Sequence, residues 1–247
     1  MMINDLKVCP HDYNMSVAVI AFTPKPEELI WQCAHQCVSE NPTWMSSCTP
    51  YPGEAVVKHL LSGNRGHYSP LEAPAITFCV AGWPHSTMQQ ITRHRTGVHF
   101  SVQSFRYTGN KVVDVADSLR PVQSVFYLRP EGEYLERSGK KYLYTNEQRA
   151  EDIRFCHTAA LHYKSRIGQG FSHEQCRSLI PFDIRQDFCM TLNVRSLMHI
   201  LDLRAKKDAQ LEIQWLSDTL FVCFEEWCPT IAAWYKQNRL GKARLSP

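Results

Sequence analysis

The residues best suited to chemistry in this chain form a run between positions 89 and 107. The run contains three arginines, two histidines, three glutamines and two serines, and no acidic residue. Guanidinium groups hold phosphate and carboxylate oxygens in bidentate pairs, so the run predicts an anion-binding site. A solvated basic turn is the alternative, but apolar residues spaced along the run would anchor it to a core. These residues are Ile91, Val98, Phe100, Val102 and Phe105.

A second group of polar side chains occupies residues 193–204. At about 100° per residue, a helix over this range has two faces that carry polar side chains. One face carries Asn193, Leu197, Ile200 and Arg204, and the opposite face carries Arg195, His199 and Asp202. A surface helix is one interpretation of this pattern, and a subunit interface with sites on both sides is the other.

The elements that position these groups are predicted from apolar periodicity, capping residues and turn residues. Strands are predicted at 16–22, 75–82, 122–128 and 182–192. One helix is predicted to start within residues 23–28 and to end at about 37. Further helices are predicted at 54–61, at 84–95, from 145 to about 167, at 172–181, at 193–204 and within 209–240. Three capping boxes are predicted, at Ser69 with Glu72, at Thr145 with Gln148 and at Ser172 with Gln175. On the helix at 84–95, Gln90 and Arg93 would share a face. These patterns alone predict one mixed α/β domain over residues 1–247.

The overall composition, with 44% hydrophobic and 21% charged residues, is that of an ordinary soluble globular protein. A net charge of +3 is too small for binding to nucleic acid or membrane by bulk electrostatics, so any anion site must be local. The chain shows neither a signal pattern nor an apolar run of about 20 residues, which predicts the cytoplasm. Ten cysteines without a CxxC pair predict buried free thiols in a reducing compartment. Cys33, His35 and Cys37 lack the second half of a metal site, so we expect no bound metal.

Four segments in order along the chain resemble the flavin-dependent thymidylate synthase family. Arg93-His94-Arg95 followed by Gln103-Ser104-Phe105-Arg106-Tyr107 resembles the family signature. His67-x-Ser69-Pro70-x-Glu72 is similar to the family's His-x-Thr-Pro-x-Glu segment, and Arg177-Ser178-Leu179-Ile180-Pro181 to its Arg-x-x-Leu-Pro. Asn193-x-Arg195-Ser196-Leu197, with Leu203-Arg204 and Ala209-Gln210-x-Glu212-Ile213, resembles its C-terminal block. The resemblance therefore spans about residues 66–213.

This resemblance implies a fold, a reaction and a set of ligands. The fold would be α/β, a twisted, mainly antiparallel sheet flanked by helices. The reaction would methylate deoxyuridine monophosphate to thymidine monophosphate, with methylenetetrahydrofolate as carbon donor, FAD as hydride carrier and NADPH as reductant. The family also implies a homotetramer whose active sites are built from several chains, and neither nucleic acid nor membrane as a partner.

The resemblance assigns roles residue by residue. The FAD site would comprise His67, Ser69, Glu72, Arg93, His94, Arg95, Asn193, Arg195 and His199. The deoxyuridine monophosphate site would comprise Gln90, Arg93, Gln103, Ser104, Arg106, Arg177 and Arg204. Arg204 would also be the catalytic residue, since a fixed cation at the uracil ring favours its N3-deprotonated form and makes C5 nucleophilic.

The chain departs from the family pattern at several positions. Eight residues separate Arg95 from Ser104 where seven is commoner, which implies a longer loop or a bulge. Ser101-Val102 stands where Asn-Glu is frequent, His199 where Asn is common, and Ala73 where His is common. The missing Asn-Glu pair leaves a non-catalytic homologue as one alternative. The other is a single-stranded nucleic-acid binder, with the arginines on phosphates and Phe105 and Tyr107 stacking on bases.

Overall fold

A five-stranded antiparallel sheet forms the centre of the fold in a computed structural model, which describes residue 3 and residues 5–63, 66–136 and 138–242. Its strands are β1 (Lys7–Val8), β2 (Ser16–Phe22), β3 (Ala75–Pro84), β4 (Val98–Val102) and β7 (Arg185–Asn193). The spatial order is β1-β2-β3-β7-β4, so β4 lies at one edge and pairs only with β7 within the sheet. A separate hairpin consists of β5 (Gly132–Leu135) and β6 (Lys141–Tyr144).

Ten α-helices accompany the strands in the described part of the chain. In the first half these are α1 (Pro26–Gln36), α2 (Pro52–Val56), α3 (His85–Ile91), α4 (Phe105–Thr108) and α5 (Asn110–Ala116). In the second half they are α6 (Asn146–Gly168), α7 (His173–Cys176), α8 (Val194–Arg204), α9 (Leu211–Trp227) and α10 (Pro229–Asn238). None of the helices in the described ranges is long and apolar enough to cross a membrane.

Alternation along the strands determines where the main core lies. On β3 the side chains of Ile76, Phe78 and Val80 are fully buried, whereas the residues between them are only half-buried. Because every second side chain is buried, one face of the sheet packs toward α8, α9 and α10, where buried apolar side chains form the larger cluster. A smaller cluster, with Val112 and Tyr163 at its centre, lies between α5 and α6.

The predicted fold class is confirmed, since the sheet is antiparallel and helices flank it. The strand at 16–22 is confirmed to the residue, and α9 and α10 fill the predicted closing segment. The capping box of α6 forms, with the Thr145 hydroxyl accepting from the Gln148 amide and the Gln148 side chain accepting from the Thr145 amide. The Ser172 hydroxyl also caps α7. The single domain over residues 1–247 stays a prediction, since residues 1, 2, 4, 64, 65, 137 and 243–247 lie outside the described residues.

Three local predictions are wrong. The segment 122–128 is not a strand but a 3₁₀ turn, Val122–Ser124, followed by one isolated bridge from Phe126 to Ile184. The hydroxyl of Ser69 caps no helix, because Ser69 begins a short 3₁₀ turn and Glu72 pairs instead with Arg195. Asp202 is buried, accepting hydrogen bonds from Tyr235 and Arg239, and so adds nothing to a polar surface on α8.

The predicted helix at 84–95 ends earlier than the sequence pattern indicates. Helix α3 stops at Ile91, and residues 93–97 form the turn that leads into β4. Gly97 makes this turn with a φ of +66°, where a Cβ would lie 2.5 Å from Ser196 Oγ and 2.7 Å from Asn193 Nδ2. Gln90 and Arg93 therefore do not share a helix face. The ladder of β4 is regular over all five residues, so the extra residue before Ser104 is not a bulge in this strand.

Candidate functional site

The turn after α3 meets the end of α8 through one hydrogen bond between side chains far apart in sequence. Arg204 Nε donates to His94 Nε2 at 3.0 Å, and Arg204 Nη2 donates to the Gln90 carbonyl oxygen at 3.2 Å. Nearby, Ser196 Oγ donates to the Thr96 carbonyl oxygen at 2.8 Å. The first part of the Arg-rich run, around the turn at 93–97, thus contacts α8.

His94 is a neutral imidazole in this arrangement. Its side chain is buried, and burial, followed by the neighbouring Arg204 and His199, lowers the pKa of His94 to about 4. Because Nε2 accepts from Arg204, Nδ1 carries the proton. The His199 ring lies edge-on to His94 with centroids 5.2 Å apart, and His199 Nδ1 is buried without a hydrogen-bond partner among the described residues.

Arg93 and Arg95 leave their guanidinium groups available to a ligand. Both side chains are exposed, and within the described ranges neither forms a hydrogen bond or an ion pair. Burial, and secondly the charge of Arg93, lowers the pKa of Arg204. The like charges of Arg93 and Arg204 are electrostatically unfavourable together unless an anion binds there. The donor set therefore fits phosphate oxygens.

The Gln90 side chain is held by a buried polar network. Its Nε2 donates to Gln210 Oε1, and Gln210 Nε2 donates to Glu212 at 2.8 Å and to Ser86 at 3.1 Å. Glu212 is 1% exposed, and Arg129 and Tyr127 also donate to its carboxylate, at 2.6 and 2.9 Å. Burial raises the pKa of Glu212, but the bonds from Arg129 and Gln210 outweigh it and lower the pKa overall. A deprotonated Glu212 thus fixes the orientation of both amides.

A cavity of about 460 Å³ lies at the other end of β4 and contains most of the remaining predicted substrate residues. Gln103, Ser104 and Arg177 line it, and Arg177 is exposed without a protein partner in the described part of the chain. Arg106 lies outside the cavity lining, in an exposed pair with Glu174 at 3.3 Å, which contributes little in water. His85 and Phe182 also line the cavity, with their rings edge-on at 5.2 Å.

Strand β4 separates the two substrate groups within one chain. Gln90, Arg93 and Arg204 lie near its beginning, whereas Gln103, Ser104 and Arg177 lie beyond its end. Five residues at about 3.3 Å per residue place the strand ends about 13 Å apart. The structure therefore brings each group together but does not bring the two groups into contact.

The other predicted cofactor residues lie around the beginning of α8. Arg195 Nη1 donates to Glu72 Oε1 at 2.6 Å, and the Arg195 guanidinium lies over the Tyr68 ring. Ser69 is exposed beside them. His67 lines a separate cavity of about 480 Å³ between α1 and α2, and its side chain is half-buried.

Asn193 has a structural function that the sequence pattern did not indicate. It is the N-cap of α8, and its Oδ1 accepts from the Ser196 amide at 2.8 Å. The Asn193 Nδ2 faces Gly97, close to the beginning of β4. The side chain thus connects the first turn of α8 to the turn at residues 93–97, called the Arg-rich turn below.

Lys111, Gln210 and Glu212 are polar residues of the site whose roles sequence reasoning missed. Lys111 donates to Gln103 Oε1 at 2.9 Å, and Gln210 and Glu212 form the network behind Gln90. Gln210 and Glu212 stand in the C-terminal segment quoted for the resemblance, which was the available signal. No sequence spacing indicates the contact between Lys111 and Gln103.

Arginines that are unpaired among the described residues, on an antiparallel α/β scaffold, are suited to phosphate-bearing ligands. Residues 18–230 match the family model described as Thymidylate synthase complementing protein. The flavin-dependent thymidylate synthase of Haloarcula marismortui is 31% identical over 94% of this chain and 100% of the relative. That of Halobacterium salinarum is 33% identical over the same shares. The chain belongs to the flavin-dependent thymidylate synthase family, which confirms the resemblance and the prediction of an enzyme.

Solved structures agree on the fold. The UMP/dUMP methylase PolB from Streptomyces cacaoi, bound with 5-Br dUMP, has a TM-score of 0.73 at 20% identity, covering 94% of this chain and 97% of that one. Thymidylate Synthase X from Helicobacter pylori with FAD and dUMP has a TM-score of 0.62 at 20% identity, covering 84% and 92%. At these identities the likeness extends to the architecture alone.

The structure also argues against the nucleic-acid alternative, because one residue that it requires is buried. That reading needs Phe105 to stack on a base, but Phe105 is 7% exposed and packs edge-on against Tyr163. Tyr107 remains exposed, and one ring makes a poor stacking platform.

Proposed function

We propose that this chain methylates deoxyuridine monophosphate, taking the carbon from methylenetetrahydrofolate and the hydride through FAD that NADPH reduces. The observation that carries the proposal is the fixed cation at the end of α8. Arg204 is held by His94 and by the Gln90 carbonyl oxygen, and its Nη1 has no partner among the described residues. A held guanidinium with one free donor edge suits recognition of a planar ring.

FAD fits the residues around the Arg-rich turn. Two unpaired guanidinium groups, those of Arg93 and Arg95, are suited to its pyrophosphate, and the orphaned Nδ1 of His199 offers a buried polar atom. We assign His67, Ser69, Glu72, His94, Asn193 and Arg195 to the same site by family resemblance. When bound, the flavin supplies hydride transfer, and the protein supplies binding and orientation.

Arg204 would activate the nucleotide by electrostatics. A neutral His94 adds no charge of its own beside the Arg204 guanidinium. Placed at the uracil edge, the guanidinium charge favours the ring deprotonated at N3, which raises electron density at C5. The nucleotide C5 can then attack the methylene carbon of the folate without a protein nucleophile.

The substrate phosphate would lie in the cavity beyond β4. Arg177 supplies an unpaired guanidinium there, and Ser104 and Gln103 supply a hydroxyl and an amide. Arg106 is free to turn from its weak pair with Glu174 toward an anion. Gln90 and Arg93 belong to the other substrate group, near Arg204.

A divided substrate site supports a homotetramer. One nucleotide spanning both groups of one chain would have to bridge the length of β4, whereas a second copy can bring its cavity beside the Arg204 of the first. The edge position of β4 leaves this region open on the side away from β7.

The test is reconstitution from purified protein. We expect a yellow, FAD-loaded protein that converts deoxyuridine monophosphate to thymidine monophosphate only when methylenetetrahydrofolate and NADPH are both present. Mass spectrometry of the nucleotide would detect the mass of the added methylene group. A colourless protein, or a yellow one that releases no thymidine monophosphate, would contradict the proposal.

A further inference from the structure

Lys111 on α5 carries a charge that no carboxylate contacts directly in the described part of the chain. Its Nζ donates to Gln103 Oε1 at 2.9 Å and to the Arg185 carbonyl oxygen at 2.8 Å, and lies 5.5 Å from the centre of the Phe105 ring. Both hydrogen-bond acceptors are neutral, and Lys111 forms no ion pair within the ranges that the structure describes. A half-buried ammonium without a carboxylate partner is unfavourable unless an anion compensates it.

The position of this charge relates it to the cavity beyond β4. Gln103 and Phe105 line that cavity, and Lys111 contacts both from behind. Arg177 lines the same cavity without a protein partner among the described residues. The cavity thus has two cations at its wall, neither in an ion pair within the described ranges, and Asp187 on β7 offsets only part of the Lys111 charge.

Lys111 also determines which atom of Gln103 can face a ligand. An ammonium group only donates, so Gln103 must present its oxygen to Lys111. Its amide nitrogen then points toward Asp187, with a long contact of 3.4 Å to Oδ2, and one N–H remains for the cavity. The side chain of Gln103 is therefore set as a hydrogen-bond donor, which suits a phosphate oxygen.

We infer that Lys111 is a positioning residue for the nucleotide phosphate, acting through the oriented Gln103 amide and through its own charge behind the cavity wall. The inference rests on the proposed function, because it takes the cavity to hold the phosphate of deoxyuridine monophosphate. It assigns Lys111 no contact with the reacting atoms.

Alternatively, Lys111 would only fasten α5 to β7 through the Arg185 carbonyl. Substitution separates the two roles. Lys111→Met keeps the apolar stem and removes both charge and donor, whereas Lys111→Arg keeps both. Lys164→Met is the matched control, since it removes one lysine charge from α6, where Lys164 pairs with Asp117 at the surface.

The experiment measures binding of deoxyuridine monophosphate to FAD-loaded protein by calorimetry, with KM and kcat beside it. We expect Lys111→Met to weaken binding about tenfold and to raise KM with kcat little changed, because one charge-assisted interaction is lost. Lys111→Arg should restore binding, and Lys164→Met should bind as the wild type does. Normal binding by Lys111→Met, or an equal defect in Lys111→Arg, would overturn the inference.

A second measurement covers the case in which Lys111→Met does not fold. Burial lowers the pKa of Lys111, Asp187 on β7 opposes that shift, and Arg120 adds to it. Nucleotide affinity of the wild type should therefore fall more steeply with rising alkaline pH than that of Lys111→Arg, whose guanidinium stays charged. Parallel pH profiles would contradict the inference, and wild-type protein that binds no nucleotide would overturn the proposed function and this inference with it.

Discussion

The guanidinium of Arg204 donates to a neutral His94 at 3.0 Å, across 110 residues of sequence. The bond uses Nε, and a second bond from Nη2 to the Gln90 carbonyl oxygen uses another edge of the fork. Nη1 remains for a ligand. An arginine held by these two bonds can bind a ligand only through Nη1. The position of Arg204 at the end of α8 determines where that group points.

Arg204→Ala should separate chemistry from cofactor binding, whereas Arg93→Ala should damage both. Removal of one preorganised charge typically lowers turnover by about 10²–10³, and flavin content should change little because Arg204 is directed at the base. Arg93 is unpaired among the described residues and is assigned to both the FAD and the nucleotide site, so its loss should weaken each ligand by roughly ten- to a hundredfold. The measurements are flavin occupancy and turnover, with circular dichroism as the folding control. Normal turnover by Arg204→Ala would refute its catalytic assignment.

His94 should make the protein less stable in mild acid. Its pKa is about 4 in the fold and 6.5 ordinarily, so between these pH values the unfolded chain binds more protons. The free energy of unfolding therefore falls as pH is lowered through this window, by about 3 kcal/mol in total. His94→Gln keeps an acceptor for Arg204 and cannot titrate. As pH is lowered, the unfolding midpoint of the wild type should fall more than that of His94→Gln, and parallel curves would contradict the prediction.

Two variants of Asn193 should separate its structural role from its role in cofactor binding. Asn193→Ala loses the N-cap of α8 and should cost about 1 kcal/mol. Asn193→Asp keeps an oxygen for the Ser196 amide, so stability should hold. The new carboxylate replaces Nδ2 and repels phosphate, so flavin occupancy should fall in this variant. Full occupancy in a stable Asn193→Asp protein would show that Asn193 acts only as a cap.

Subunit mixing should recover activity if the two substrate groups meet between chains. Arg204→Ala and Arg177→Ala each damage one group, so each homo-oligomer should be inactive. When both are co-expressed and purified together, some sites combine two intact groups and turnover should return. Sedimentation should also give a tetramer. An active flavin-loaded monomer, or no recovery in the mixed oligomer, would refute shared sites.

No single cysteine should be required for turnover. Burial raises the pKa of Cys156 to about 11 and of Cys223 to about 12, so both stay protonated near neutral pH. Cys176, the cysteine beside Arg177, is fully buried. A thiolate nucleophile needs the opposite environment. Each of the ten Cys→Ser variants should retain turnover, and one that keeps its fold and flavin but loses activity would contradict the prediction.

Local signals in the sequence predicted local structure well. The Thr145 capping box and the strand at 75–82 depend on residues within a few positions of each other, and both are confirmed. Of the box predicted at Ser172, the bond from the Gln175 amide to the Ser172 hydroxyl forms. Ser69 with Glu72 shows the same spacing but forms no box, because Glu72 has a partner in Arg195, 123 residues away. Short-range patterns cannot show such a competitor.

The turn at 93–97 shows why the site geometry was harder to predict. Nothing between residues 84 and 95 interrupts a helical pattern strongly, so the sequence favoured one long helix. The burial of His94 against Arg204 and the packing of Gly97 on Asn193 and Ser196 come from α8 and its N-cap, far along the chain. Residue types identified the site, and tertiary contacts set its arrangement.

The strand order has a consequence for folding during synthesis on the ribosome. Within the sheet, β4 pairs only with β7, which is synthesised about ninety residues later, so β4 has no ladder to join until then. The Arg-rich turn before β4 likewise waits for α8, which holds His94 and Thr96. With the flavin site assigned as proposed, we expect cofactor binding to follow the synthesis of α8, since the Arg-rich turn lacks these contacts until then.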